Sequence, residues 1–94
     1  MSAGWSLYLI RCNDDTLYTG IAVDVVRRFG DHAAQGRRCA RYLRGRGPLR
    51  LAFAVEVGTR SRAAQIEARV KRLSRADKER LVRGELGLNE VAGS

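Results

Sequence analysis

Three apolar segments have the length and composition of β-strands: residues 5–12, 16–22 and 49–57. They are rich in aromatic, β-branched and aliphatic side chains, which suit the pleated surface of a sheet. The first segment is apolar at nearly every position, so both of its faces need to be covered. This pattern predicts that residues 5–12 form a central strand.

The polar triplet Asn-Asp-Asp at 13–15 predicts a turn that joins the first two strands in a hairpin. If all three residues form the turn, Ile10 pairs with Tyr18. Side chains of equal parity then share a face, so Tyr8 and Tyr18 lie together. A turn of two or four residues would place them on opposite faces.

Apolar residues that recur three and four positions apart predict helices in the rest of the chain. The expected N-caps are Asp24, Ser61 and Ser74, and the expected buried stripes are Val25, Phe29 and Ala33 in the first helix and Ala63, Ile66, Val70 and Leu73 in the second. The order ββαβαα predicts one α/β (α+β) domain over residues 5–83, with helices packed on a small sheet. Residues 84–94 are expected to be a flexible tail.

The chain is strongly basic, with 18 Lys and Arg against 10 Asp and Glu in 94 residues and a net charge of +8. Arginines cluster between His32 and Val55, where there is no acidic residue. Such a block is typical of a surface that contacts nucleic acid, because guanidinium groups match phosphate oxygens in pairs. The residues predicted to bind nucleic acid are Arg37, Arg38, Arg41, Arg44 and Arg46. The competing interpretation is a basic face that only promotes solubility.

Composition and terminal sequence narrow the class of protein. No apolar run approaches the ~20 residues of a membrane-spanning helix, and the first residues lack the features of a signal peptide. Cys12 and Cys39 are too few for a disulfide framework and too far apart for a zinc knuckle. We therefore expect a cytoplasmic protein that folds without a metal and makes no membrane contact. The sequence indicates no obligate protein partner.

Five side chains could combine into one catalytic site: Tyr8, Tyr18, Arg28, His32 and Glu67. The two tyrosines share a face in the expected hairpin, and Arg28 and His32 lie one helical turn apart. Phosphodiester hydrolysis needs a base, a cation that balances charge on the phosphate and a metal that assists the leaving oxygen. A single carboxylate such as Glu67 suits Mg²⁺, which keeps most of its waters.

The spacing of these residues resembles the GIY-YIG nuclease superfamily, and most closely its short stand-alone bacterial branch of the YhbQ type. The matching elements are Ser6-Leu7-Tyr8 and Tyr18-Thr19-Gly20 for the paired signature, Arg28 for the catalytic arginine, His32 for a frequent histidine and Glu67 for the metal-binding glutamate. The resemblance covers about residues 5–83. Ile21 stands where some members carry a lysine that could lower the pKa of the tyrosine, which predicts slow turnover.

The resemblance implies a three-stranded antiparallel sheet flanked by helices. It implies an endonuclease that cleaves nucleic acid, DNA in preference to RNA, with one Mg²⁺ or Mn²⁺ ion. Tyr8 or Tyr18 would be the base or would position the water, with Tyr8 favoured. Arg28 would stabilise the scissile phosphate, Glu67 would hold the metal, and His32 would transfer a proton or contact the phosphate. No base-reading element is identifiable, so we expect low sequence specificity.

A second interpretation is a catalytically weak or inactive module that binds nucleic acid through its arginine-rich surface. Each candidate residue also has an ordinary explanation, such as an ion pair of Arg28 with Asp24 or of Glu67 with Lys71. Substitution separates the two interpretations. Arg28→Ala or Glu67→Ala abolishes cleavage and largely preserves binding if the protein is an enzyme.

Overall fold

The computed structural model describes residues 4–93, which form one antiparallel sheet with helices on both sides. The elements are β1 (Trp5–Arg11), β2 (Leu17–Ala22), α1 (Val25–Ala33), a 3₁₀ turn (Arg41–Leu43), β3 (Arg50–Gly58), α2 (Arg60–Lys71), α3 (Arg75–Val82) and α4 (Leu88–Val91). The strand order is β2-β1-β3. The α/β architecture and the central position of the first strand are therefore confirmed.

The β1–β2 hairpin has the register expected for a three-residue turn. Ile10 pairs with Tyr18, and Tyr8 pairs with Gly20. Asp15 in the turn has a φ of 67°, in the left-handed region that Asp tolerates better than most residues. As predicted, Tyr8 and Tyr18 have the same parity and lie on one face of the sheet.

Each face of the sheet carries its own apolar core. On one face the buried residues Tyr8 and Ile10 pack with Val25 and Phe29 of α1. On the other face, side chains from α2 and α3 pack with those of β1; the buried members are Leu7, Leu9, Ile66, Val70 and Leu81. The central strand is therefore covered on both sides, and the two helical layers approach β2 from opposite faces.

The predicted buried stripe of α1 is wrong at its last position. Ala33 is exposed, whereas its neighbour His32 is fully buried, with 0% of its surface accessible. Burial of the imidazole is tolerated because both ring nitrogens have hydrogen-bond partners, the backbone of Ala40 and the hydroxyl of Tyr8. An apolar stripe drawn from helical spacing alone does not include such a residue.

Strand β3 also departs from the predicted pattern. The sequence predicts that Leu51 shares a face with Phe53, but Leu51 is 40% exposed while Phe53 packs in the α2-side core. The register with β1 shifts between Leu9 and Ile10. Such an irregularity changes which face the following residue occupies.

The first turn of α2 begins earlier than predicted. The N-cap is Thr59 rather than Ser61, and its Oγ1 accepts a hydrogen bond of 3.1 Å from the backbone N–H of Arg62. The predicted caps of the other two helices are as expected: Asp24 accepts from the Arg27 backbone, and Ser74 accepts from the backbone of Asp77.

The C-terminal segment differs from the flexible tail expected from position 84 onward. Residues Leu88–Val91 form α4, and Leu88, Val91 and Ala92 pack against the α2-side core. These apolar positions have helical spacing, which gives a short helix a reason to dock. Within residues 4–93, no helix is both long enough and apolar enough to cross a bilayer.

Candidate active site

The side chain of Tyr8 crosses β2 at Gly20. A Cβ atom at Gly20 would lie 2.4 Å from both Cζ and Oη of Tyr8. The phenol therefore occupies the space that any other residue at this position would need. Because β2 is at one edge of the sheet, the absence of a side chain at Gly20 lets a phenol from the central strand extend toward that edge.

His32 holds the hydroxyl of Tyr8 in place. Its Nε2 lies 3.0 Å from the Tyr8 oxygen, and its Nδ1 lies 3.2 Å from the backbone nitrogen of Ala40. A backbone N–H can only donate, so Nδ1 is the acceptor and the neutral ring carries its proton on Nε2. His32 therefore donates to the Tyr8 oxygen, and the hydroxyl proton of Tyr8 is left for another acceptor.

The electrostatic environment keeps His32 neutral. Burial, followed by the positive charge of Arg28, lowers the pKa of the imidazole below its ordinary value of 6.5. With both nitrogens engaged and the ring fully buried, His32 has no free nitrogen for a phosphate in this arrangement. The sequence predicts proton transfer or phosphate contact for His32; the geometry disfavours phosphate contact and adds a role that was not predicted, the positioning of Tyr8.

An aromatic stack links the phenols to the arginine-rich loop. The Tyr18 ring meets the His32 ring edge-on, with centroids 5.7 Å apart, and Tyr42 stacks on Tyr18 at 5.8 Å. The guanidinium of Arg46 lies 4.3 Å from the centroid of the Tyr42 ring. Offset, edge-on and cation–π contacts are the favoured geometries of such groups. Tyr18 is thus fixed between the imidazole and the loop.

Arg28 projects from α1 and is fastened at its guanidinium. Its Nη1 donates to the backbone carbonyl of Arg38 at 2.7 Å and lies 3.7 Å from a carboxylate oxygen of Asp31. The ion pair with Asp24 that an isolated helix would favour is replaced by this arrangement. About a third of the Arg28 side chain remains exposed, so the group can still reach an anion from solvent.

Glu67 approaches from α2, on the opposite face of the sheet. Its side chain is 22% exposed, and its Oε2 lies 3.4 Å from Nζ of Lys71, the partner expected from helical spacing. The negative charge of Glu67 is also near enough to Tyr8 to raise the pKa of the phenol. The site therefore draws its side chains from both helical layers.

Tyr8 is a strongly perturbed phenol. Burial and then the neighbouring Tyr18 raise its pKa to about 12; Arg28 opposes this shift and Glu67 adds to it. At pH 7 a phenol with that pKa is ionised in only ~10⁻⁵ of molecules. Tyr8 is therefore a neutral hydroxyl in the protein as described.

Comparison with known proteins assigns the family. Residues 4–80 match the family described as the GIY-YIG catalytic domain. The chain belongs to the GIY-YIG family. It is 52% identical over 87 residues to a UPF0213 protein of Cronobacter sakazakii, covering 93% of this chain and 90% of that one. It is 55% identical over 78 residues to the UPF0213 protein YhbQ of Salmonella arizonae, covering 83% and 76%.

A solved structure agrees with the GIY-YIG assignment. The fold is similar to the solution NMR structure of a UPF0213 protein from Bacillus halodurans, with a TM-score of 0.56 and 39% identity. The similarity covers 94% of this chain and 92% of that chain. The GIY-YIG match contains every predicted catalytic residue and points to nuclease chemistry.

The GIY-YIG site offers one carboxylate for a cation rather than a preformed cage. Within residues 4–93 there is no cluster of three or more His, Cys, Asp or Glu placed to hold a metal. Mg²⁺ usually keeps several waters and takes only one or two protein carboxylates. The partly exposed Glu67 fits that requirement, and the donor set does not fit a closed zinc site.

The predicted nucleic-acid contacts divide into two groups in the structure. Arg44 donates to the carbonyl of Gly36 at 3.0 Å, and Arg46 donates to the carbonyl of Tyr42 at 2.7 Å and pairs with Asp14. These two arginines fasten the loop. The side chains with no such role within residues 4–93, and exposed to solvent, are Arg37, Arg38 and Arg41.

The sequence did not predict the residues that hold the loop next to the candidate site through hydrogen bonds. Gln35 donates to the carbonyls of His32 and Leu43, both at 3.1 Å, and accepts from the backbone of Gly45 at 2.7 Å. These bonds hold the loop so that the Ala40 N–H meets His32. No local pattern predicts them, because each joins positions that the fold alone brings together. Tyr42 differs from Gln35 in this respect, because an aromatic residue within an arginine-rich loop can be recognised from the sequence as a candidate functional residue.

Proposed function

We propose that the protein is a metal-dependent endonuclease that hydrolyses nucleic-acid phosphodiester bonds, DNA in preference to RNA, with low sequence specificity. One observation supports the proposal: two phenols, an imidazole and a guanidinium lie together beside β2, and the charge of a carboxylate from the other helical layer acts on one of those phenols. They are Tyr8, Tyr18, Arg28, His32 and Glu67. A purely structural cluster has no need of this inventory, whereas phosphodiester cleavage uses all of it.

In this proposal Tyr8 handles the proton of the attacking water, and His32 positions Tyr8. The Nε2–H of His32 donates to the phenol oxygen and can go on donating if that oxygen becomes negative, so it favours the phenolate. The bond from Ala40 keeps the imidazole in the tautomer that can do this. His32 thus acts through another residue.

Arg28 would bind the negative phosphate, and Glu67 would bind the metal cation. The exposed part of the Arg28 guanidinium would bind the scissile phosphate and stabilise the charge that develops on it. Glu67 would hold one Mg²⁺ or Mn²⁺ ion, with water completing its ligands. The bound cation would supply the positive charge that assists departure of the leaving oxygen.

A second candidate is the binding module without useful turnover, and one observation favours it. The Tyr8 pKa of about 12 leaves the phenol neutral at pH 7. Ile21 provides no nearby positive charge that would lower that pKa. If substrate and cation do not lower it on binding, the protein would hold nucleic acid and cut it slowly or not at all.

Cleavage of supercoiled and linear DNA, and of RNA, by the purified protein with Mg²⁺ or Mn²⁺ tests the proposal. Glu67→Gln and Arg28→Ala should each reduce the rate at least ~10²-fold, since each removes a charge that acts on the transition state. Glu90→Gln and Arg50→Ala are the matched controls. They make the same two substitutions, each removing one charge, at exposed positions outside the site, and should leave the rate unchanged.

The outcomes separate the two candidates. Loss of cleavage in the site variants, with near-normal DNA binding and unchanged melting temperature, supports the nuclease. If the wild-type protein cuts no nucleic acid with either metal, or if the site variants cut as fast as the controls, the nuclease proposal is wrong. Binding without cleavage would leave the second candidate standing.

A further inference from the structure

The only two lysines of this arginine-rich chain, Lys71 and Lys78, line one cavity. It has a volume of about 300 Å³ and lies beside β2; its other lining residues are Leu17, Tyr18, Thr19 and Tyr42. Lys71 ends α2 and Lys78 lies in α3, so two separate helices direct ammonium groups to the same place. Tyr18 belongs also to the candidate active site.

The cavity has the chemistry of an anion site. Among the described residues that line it there is no acidic side chain. Thr19 is 2% exposed, and its hydroxyl oxygen has no hydrogen-bond partner within residues 4–93. A neighbouring cavity of about 190 Å³ shares Tyr42 and Lys78 and adds Arg75. Two ammonium groups therefore line this cavity, a guanidinium that also donates to the Asp15 carbonyl lines the cavity next to it, and the Thr19 hydroxyl lies buried in the cavity wall.

A second cavity continues along β2 on the other side of Gly20. Its volume is about 340 Å³, and its lining includes two arginines and two carboxylates: Arg27, Arg28, Asp24 and Asp31. The phenol of Tyr8 lies over Gly20, between the two cavities. An extended polyanion that follows β2, which spans ~20 Å, would meet the two lysines at one end and the exposed part of Arg28 at the other, with the buried phenol at Gly20 between them.

We propose that the cavity lined by Lys71 and Lys78 binds a backbone phosphate of the same nucleic-acid strand whose scissile phosphate lies at Arg28. This inference rests on the proposed function and deepens it, because it gives the direction of the strand: along β2 rather than across the loop at 36–47. Lys71 now pairs with Glu67 at 3.4 Å. Because the Lys71 side chain is 54% exposed, this ion pair is weak, and a phosphate can compete with Glu67 for the ammonium group without a metal.

The different roles of the arginines and the lysines support this path of the strand along β2. Arg44 and Arg46 are occupied in fastening the loop. Lysine is the compact cation suited to a phosphate that is bound as a point charge rather than through a fork of hydrogen bonds. Arg37, Arg38 and Arg41 of the loop would then contact nucleic acid next to the site rather than the strand that is cleaved.

The test is binding of a short fluorescein-labelled DNA duplex to the full chain across a series of KCl concentrations, with EDTA present so that no cleavage occurs. The variant is Lys71→Gln/Lys78→Gln. The matched control, Arg50→Gln/Arg62→Gln, removes the same charge on the β3 side of the molecule. A third protein, Lys71→Arg/Lys78→Arg, restores the charge.

Each phosphate contact contributes about 0.9 to the slope of log K against log salt. Loss of the one phosphate held in the cavity lowers the magnitude of the slope by up to about 0.9, which amounts to up to about 8-fold weaker binding in ~0.1 M salt. The control should lose much less, and the arginine variant should recover the wild-type slope. Melting curves of all proteins establish that they are folded.

Equal slopes for the lysine variant and the control overturn the inference, as does a wild-type protein that does not bind the duplex. A reduced slope for the lysine variant alone supports it. Because the assay involves no turnover, the result does not depend on cleavage. A protein that binds through the lysines and never cuts DNA refutes the nuclease proposal alone, and one that cuts but shows equal slopes refutes the phosphate site alone.

Discussion

Gly20 is where the sheet and the candidate active site constrain each other most tightly, and Gly20→Ala tests that constraint. The new Cβ would lie 2.4 Å from Cζ and Oη of Tyr8. Ordinary carbon contacts are ~3.5–4.0 Å, so the phenol would have to move by more than ~1 Å. Tyr8 is 2% exposed and lies 3.0 Å from Nε2 of His32, so a shift of that size breaks this hydrogen bond.

The expected cost follows from these distances. Overpacking a rigid core costs about 1–3 kcal/mol, and a contact this short on a buried ring belongs at the upper end. The preference of a strand for Ala over Gly returns up to ~1 kcal/mol. We therefore expect Gly20→Ala to lower the free energy of unfolding by about 2 kcal/mol and, under the proposed function, to slow cleavage by displacing the phenol.

Urea unfolding measures the cost, with two controls. Gly30→Ala makes the same chemical change within α1, where no neighbouring atom lies within 4 Å of the new Cβ, and should stabilise the protein by up to ~1 kcal/mol. In a Tyr8→Leu background the colliding ring atoms are absent, so Gly20→Ala should cost nearly nothing. If Gly20→Ala is as stable as Gly30→Ala, or equally costly in both backgrounds, the assigned position of the phenol is wrong.

Two further predictions concern titrating groups. In a titration followed by tyrosinate absorbance, Tyr8→Phe should remove an ionisation near pH 12 that the wild-type protein shows. Glu79 makes two hydrogen bonds of 2.8 and 2.7 Å with Arg11, which lower the pKa of its carboxyl below 4.5. Its stabilisation is therefore present above that pH and lost as the pH falls, so Glu79→Gln should cost about 1–2 kcal/mol at pH 7 and progressively less in acid. Glu85→Gln, in an ion pair with Arg83 that is about half exposed, should show no measurable change in the urea midpoint at pH 7 or in acid.

Local patterns in the sequence predicted the parts of the fold that depend on neighbours along the chain. The three-residue turn set the β1–β2 register, because one residue more or fewer would have moved Tyr18 to the other face. Helical spacing located the buried side of α2, including Ile66 and Val70. These elements were predictable because each is determined by a run of fewer than about a dozen residues.

The errors have a common physical origin in long-range contacts. His32 is buried because Ala40 and Tyr8 satisfy its nitrogens, and neither partner is visible from helical spacing. Leu51 leaves the core because β3 is irregular against β1, a property of the pair of strands rather than of either one. Spacing in the sequence was enough to select the residues of the candidate site. The tautomer of His32 and the hydrogen bond of Arg28 to the Arg38 carbonyl could be determined only from the structure.

Under the proposed function, the charges around Tyr8 explain why the site would be less active without a divalent cation than with one. Burial, Tyr18 and Glu67 all raise the pKa of the phenol, and Arg28 opposes them. A divalent cation at Glu67 would cancel one of the raising influences and add a positive charge nearby, so the Tyr8 proton becomes easier to remove when the cation is bound. His32 is already arranged to donate to the resulting oxygen. Burial is the largest of the influences that raise this pKa and Glu67 is the smallest, so under the proposed function a cation at Glu67 would lower the pKa of Tyr8 without removing its main cause.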